Sequence, residues 1–172
     1  MNTMMVSRLF AALALVVAAC TPAAAPPRAD TYPWLDTLQT GDGAKASGKR
    51  LMALSKGLSR VDRTGENTLL IGVHGFRSEG YEWVQPLQTL DDNANEVYFF
   101  RWDWARCPAA AAADLDAAIS KVLDANPHIT RVILVGHSLG GLVVAETTYG
   151  WKHKQKLEAH VIASPLAGIG AD

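Results

Sequence analysis

Cysteine is scarce in this chain: Cys20 and Cys107 are the two present among 172 residues. Two cysteines cannot build the disulfide framework of a small secreted scaffold. Neither sign of charge is in excess, since 16 Lys and Arg stand against 17 Asp and Glu, a formal net charge of −1. That balance excludes the basic footprint of a nucleic-acid binder and the charge block of an interaction tail. The apolar run from Leu9 to Ala19 is far below the roughly 18–20 residues needed to cross a bilayer. His, Asp, Glu and Cys do not cluster at metal-ligand spacing. Gly72 to Gly75 do not form the glycine pattern of a dinucleotide-binding turn. No metal and no cofactor is therefore expected. No internal repeat interrupts the chain.

What is present points to a packed domain. Apolar residues make up 49% of the chain, enough for a globular core and against disorder, and the length suits one domain. The first residues stand apart. Arg8, the short apolar run and the small residues before Cys20 have the layout of a secretory signal peptide. Val17-Ala18-Ala19-Cys20 resembles a bacterial lipobox. The resemblance implies cleavage after Ala19 and acylation of Cys20, so that residues 1–19 are signal, 20–33 a Pro/Ala-rich tether and 34–172 the domain. Acyl chains anchor a protein without spanning the membrane. The expected location is the bacterial cell envelope, with the membrane as partner through Cys20. Thr21 in second place resembles the outer-membrane sorting pattern. Cys107 is then left without a partner in the chain, as a buried free thiol or as half of a disulfide whose other half lies elsewhere.

Helical spacing of Leu51, Leu54 and Leu58 suggests a helix within Ala44–Leu58, weakened by Gly48 and Gly57. From Asn67 onward the signals sharpen. Thr68–Val73 is an almost unbroken apolar run, suited to a strand buried on both faces. Gly80–Leu90 predicts a helix with Tyr81, Val84 and Leu87 on one side. Glu96–Phe100 predicts a strand. Pro108 opens a helix through Leu115, Ile119, Val122 and Leu123, which Asn126-Pro127 ends. Arg131–Val135 and Ala159–Ala163 predict two more strands, with a helix from Ser138 to about Tyr149 between them. Alternating strands and helices give an α/β fold with a mainly parallel sheet. In such sheets ligands bind beyond the carboxyl ends of the strands. Three of those ends here are His74-Gly75-Phe76, Arg101-Trp102-Asp103-Trp104 and Gly136-His137-Ser138. Trp102, Asp103 and Trp104 are candidates either to line a substrate pocket or to cover the sheet edge.

Gly136-His137-Ser138-Leu139-Gly140 matches G-x-S-x-G, with a strand before it and a helix after it. A serine at such a turn is pushed above the sheet, and its neighbours must be small. Gly136, Gly140 and Gly141 meet that need. The helix start adds free N–H groups and a positive dipole end, able to stabilise negative charge on a carbonyl oxygen.

Leu134–Gly141 closely resembles the nucleophile elbow of the α/β-hydrolase superfamily, of the lipase and esterase kind. Val73-His74-Gly75-Phe76 resembles its oxyanion loop, and Ile162–Gly168 the stretch after the strand that follows the nucleophile helix. The resemblance implies a three-layer sandwich that stops after that strand. It implies Ser138 as nucleophile and the backbone N–H groups of Leu139 and Phe76 as oxyanion donors. It makes His74 a loop-ordering residue rather than a base, because the superfamily's base comes late in the chain. His137 lies within the elbow, expected to pack against or bond its neighbours. The implied activity is cleavage of a carboxylic ester, possessed of a small ester or lipid substrate.

A serine hydroxyl needs a base, and the base an orienting acid. After Ser138 the histidines are His153 and His160. His153 falls in a charged stretch expected to face solvent, and His160 is expected at the amino end of the last strand, a strand length from the site. Asp172 has an acid's place but no histidine to orient. Two explanations follow: a portion of a longer hydrolase, or a non-catalytic envelope module that keeps the sheet as a binding surface. A fragment would leave the last strand as an exposed edge.

Overall fold

The computed structural model describes residues 34–62, 65–91 and 95–168. The expectations for the signal segment, Cys20, the tether and Asp172 lie outside these residues. Five strands form one sheet: β1 (Gly57–Arg60), β2 (Thr68–Val73), β3 (Glu96–Arg101), β4 (Arg131–His137) and β5 (Lys156–Ile162). Their order is β1-β3-β2-β4-β5. β1 runs antiparallel to β3 and the other pairings are parallel. The helices are α1 (Ala44–Met52), α2 (Tyr81–Asp91), α3 (Pro108–Ala125) and α4 (Leu139–Tyr149).

Strand alternation sends successive side chains to opposite faces, and each face meets its own helices. Leu69, Ile71, Val73, Phe100, Val132 and Leu134 pack with Ala111, Leu115 and Ile119 of α3 and Val143 and Val144 of α4. On the other face Leu70, Val97, Phe99 and Val135 pack with Leu51 of α1, Trp83, Val84 and Leu87 of α2, and Leu35. The result is the expected three-layer α/β arrangement. β2 is buried at every position, as a central parallel strand covered on both sides must be.

α3 shows how the sequence selects one helical face. Pro108 occupies its first turn, where the missing N–H costs nothing. Ala111, Leu115, Ile119 and Leu123 recur every four residues and are all buried. Asn126 closes the helix, its side chain donating to Val122 O at 2.8 Å.

Four expectations are corrected. The helix expected within Ala44–Leu58 ends at Met52, and β1 takes the chain from Gly57. On α2 the buried side carries Trp83 with Val84 and Leu87, whereas Tyr81 is exposed. β5 begins at Lys156, three residues before the expected Ala159, so His160 does not start it. Cys107 is not buried: it is an exposed thiol at the residue preceding α3. No helix among the described residues is long and apolar enough to cross a membrane.

Candidate functional site

The parallel strands bring their carboxyl ends together. Val73 of β2 pairs with Gly136 of β4, and His137 of β4 pairs with Ile162 of β5. The segments His74–Phe76, Ser138–Leu139 and Ala163–Ser164 therefore leave the sheet side by side.

Ser138 stands between β4 and α4 with φ 53° and ψ −126°. An L-residue held there carries strain on the order of 1–3 kcal/mol. Two hydrogen bonds over-determine it: its N–H donates to Ile162 O at 2.9 Å, and its C=O accepts from Gly141 N at 2.9 Å. Its side chain makes no capping bond to the helix it precedes, so the hydroxyl is left for other partners. Ala163 across from it is also left-handed, with φ 48°.

Close approach explains the glycines. A Cβ on Gly75 would stand 2.8 Å from His137 O, 2.9 Å from Ser138 Cβ and 3.4 Å from Leu139 N. The loop after β2 is thus pressed directly against the serine turn. A Cβ on Gly140 would overlap the carbonyl oxygens of Val73 and His74. Gly136 and Gly141 are likewise buried, against α4 and Ser164.

Phe76 is one residue beyond Gly75 and its contact with the serine turn. Among the described residues nothing accepts from the Phe76 N–H. Leu139 is the first residue of α4, where an N–H has no partner within the helix. Its amide carries the positive end of the helix dipole.

His74 is fully buried. Its Nδ1 lies 2.9 Å from Gly75 O, and its Nε2 lies 3.1 Å from the Trp102 N–H. The backbone amide can only donate, so Nε2 accepts and Nδ1 carries the proton that Gly75 O receives. Trp102 completes the link by donating from Nε1 to His74 O at 2.8 Å. Burial holds the imidazole below the ordinary histidine value of 6.5, with a smaller opposing contribution from the Gly75 bond. Both ring nitrogens are used to tie the loop after β2 to the end of β3.

The three residues after β3 part company. Trp102 is buried in the core. Asp103 pairs with Lys56 at 2.8 Å, and that ammonium keeps its carboxyl below the usual carboxylate range. Trp104 reaches the surface and meets the Phe76 ring edge-on, with centroids 4.7 Å apart. The Asp103–Lys56 pair and Trp102's inward turn carry no signal in sequence, because both depend on which strands become neighbours.

The remaining histidines are placed as follows. His137 is half-buried at the end of β4, and its ring makes no hydrogen bond among the described residues. His128 bonds Glu96 at 3.1 Å, at the amino end of β3. His153 is not on a solvated helix end: it follows α4, is largely covered, bonds Asp116 of α3 at 2.8 Å and packs against Trp151. His160 pairs with Val135 well inside β5 and bonds Glu158 at 2.7 Å. It is nearer the carboxyl end than expected, yet its partner is that carboxylate. No imidazole among the described residues bonds the Ser138 hydroxyl.

No curated protein and no solved structure matches the chain. A model described as "Alpha/beta hydrolase family" matches residues 70–171, more than half its length. That span holds β3 to β5, the serine turn and the loop pressed against it, and with the parallel sheet of the observed order it establishes that the chain belongs to the α/β hydrolase family.

Proposed function

We propose that the protein is a serine hydrolase of carboxylic esters, of the lipase and esterase kind, acting through an acyl-enzyme on Ser138. The observation that carries the reading is a strained serine at the start of α4, with the loop that leads to Phe76 pressed against it and the Phe76 and Leu139 amides without other partners among the described residues. Ser138 Oγ attacks the acyl carbon and its proton passes to water, while the carbonyl oxygen that becomes negative turns toward the N–H groups of Phe76 and Leu139. Collapse of that intermediate breaks the ester C–O bond, the alcohol leaves after taking a proton from water, and a second water then hydrolyses the acyl-enzyme to the acid. Fixed amides at that point act without reorganising during the reaction. His74 holds the Phe76 loop in register and, with both nitrogens occupied, takes no proton from Ser138. An oxyanion cradle without a base retains about 10³–10⁴-fold catalysis over water, so the described residues alone support slow acylation. A lipid anchor at Cys20 would place this chemistry at the envelope membrane.

A second reading is a non-catalytic binding module. It draws on one observation: His153 and His160, the histidines that follow Ser138, are engaged by Asp116 and Glu158. A fluorophosphonate separates the two. The hydrolase reading expects one phosphonyl adduct by intact mass, mapped to Ser138 and absent in a folded Ser138→Ala variant. Folded chain that stays unlabelled supports the binding module.

A further inference from the structure

Phe76 offers more than its amide. Its ring is over half exposed, at 54%, yet it is not loose. The Arg77 guanidinium lies 5.4 Å from the ring centroid on one side, and the Trp104 ring meets it edge-on at 4.7 Å. Trp104, itself 37% exposed, sits in a braced turn. Arg106 N donates to Asp103 O at 2.9 Å, Ala105 N donates to Asp103 Oδ1 at 3.2 Å, and Lys56 holds the same carboxylate. Two large aromatic side chains are thus held against each other at the surface, Phe76 one residue beyond the glycine that presses on the serine turn, and each keeps part of its apolar surface in water.

Their position relates them to the reaction. The N–H that would hold the substrate oxygen and the aromatic ring belong to one residue, Phe76. An acyl group pinned by that N–H and attacked by Ser138 has the ring within a side chain's length. Trp104 follows β3, which lies two strand spacings from β4 in the order β3-β2-β4, about 9–10 Å. From the two observations together, and resting on the ester-hydrolase reading above, we infer that Phe76 and Trp104 form a preorganised wall for the acyl part of the substrate and select esters with an apolar, medium-length acyl chain over acetyl esters. The chain lies along the two rings from Ser138 outward, so each added methylene up to that reach leaves water. Rings already held in place lose little freedom when the chain binds.

The test uses the full chain and alkyl fluorophosphonates bearing an ethyl or an octyl group, with Ser138 labelling rates read by mass. The octyl compound is expected to label faster on the order of tenfold, the worth of about two methylenes removed from water. Phe76→Ala and Trp104→Ala are each expected to bring the octyl-to-ethyl ratio toward one. Tyr149→Ala, at a 95% exposed position where α4 ends, is expected to keep it. Equal rates in the parent chain, or a preference that survives both alanine variants, overturn the inference. Complete failure of labelling overturns the hydrolase reading, and the wall is then decided by binding. In the Ser138→Ala chain, octanoate should shift the Trp104 indole N–H resonance while acetate does not. Absence of that shift, or its persistence in Phe76→Ala, overturns the wall independently of the nucleophile.

Discussion

Ser138 is held at φ 53° by bonds to Ile162 O and Gly141 N, and the hydroxyl meets no imidazole among the described residues. If that is the missing element, a small base supplied from solution should take its place. Free imidazole is expected to accelerate phosphonylation of Ser138 several-fold over an equally buffered control, measured by mass. An unchanged rate would show that the hydroxyl is limited by something other than a proton acceptor. His74 makes a second prediction. Burial lowers its folded pKa below the ordinary 6.5, so below that value the unfolded chain binds the proton more readily. Its contribution to stability is therefore present above 6.5 and lost as pH falls through the lowered folded value. The thermal midpoint should drop between pH 7.5 and pH 5.5, and His74→Asn should flatten that drop. Ser138 and its glycines were legible in the sequence because G-x-S-x-G compresses a steric requirement into five neighbouring residues. The bonds of His74 to Gly75 and Trp102 were not, since Trp102 is 28 residues away and adjoins only through the sheet.

α3 and β2 were readable for a related reason: their burial is periodic. Ala111, Leu115, Ile119 and Leu123 repeat at helical spacing, and Thr68–Val73 is apolar without a break. Leu115 is completely buried between α3 and the sheet. Leu115→Ala is expected to cost about 2–5 kcal/mol, seen as a lower urea midpoint with an unchanged slope. A loss below about 1 kcal/mol would place α3 more loosely than described. β1 escaped notice because Gly57-Leu-Ser-Arg60 is short and half-exposed throughout. Such a strand exists by pairing with β3 rather than by its own pattern. The start of β5 was missed on similar grounds: Lys156, Leu157 and Glu158 look like loop residues until β4 offers them a ladder. That error displaced His160 by several residues relative to Ser138, which matters more for function than for fold.

The sheet as a whole has unequal margins. β1 closes one side with a short antiparallel strand. On the other, β5 is paired with β4 alone among the described residues, all seven of its residues are exposed or half-exposed, and Ile162 is 51% exposed. A strand edge with unpaired backbone groups is a template for association. Ile162→Lys should raise the concentration at which the chain stays monomeric by light scattering, with the thermal midpoint nearly unchanged. Earlier association in that variant would mean the edge is not where copies meet. β5 also supplies the Ile162 carbonyl that fixes Ser138, so the edge and the site share a strand. In the proposed hydrolase the sheet delivers a strained serine to a pair of backbone amides. The most direct measurement is a crystal structure of the chain after phosphonylation. Phosphorus is expected to be bonded to Ser138 Oγ, with one phosphonyl oxygen about 2.7–3.1 Å from both the Phe76 and Leu139 nitrogens. An adduct whose oxygens turn to solvent, or one carried by another residue while Ser138 stays free, would contradict that arrangement.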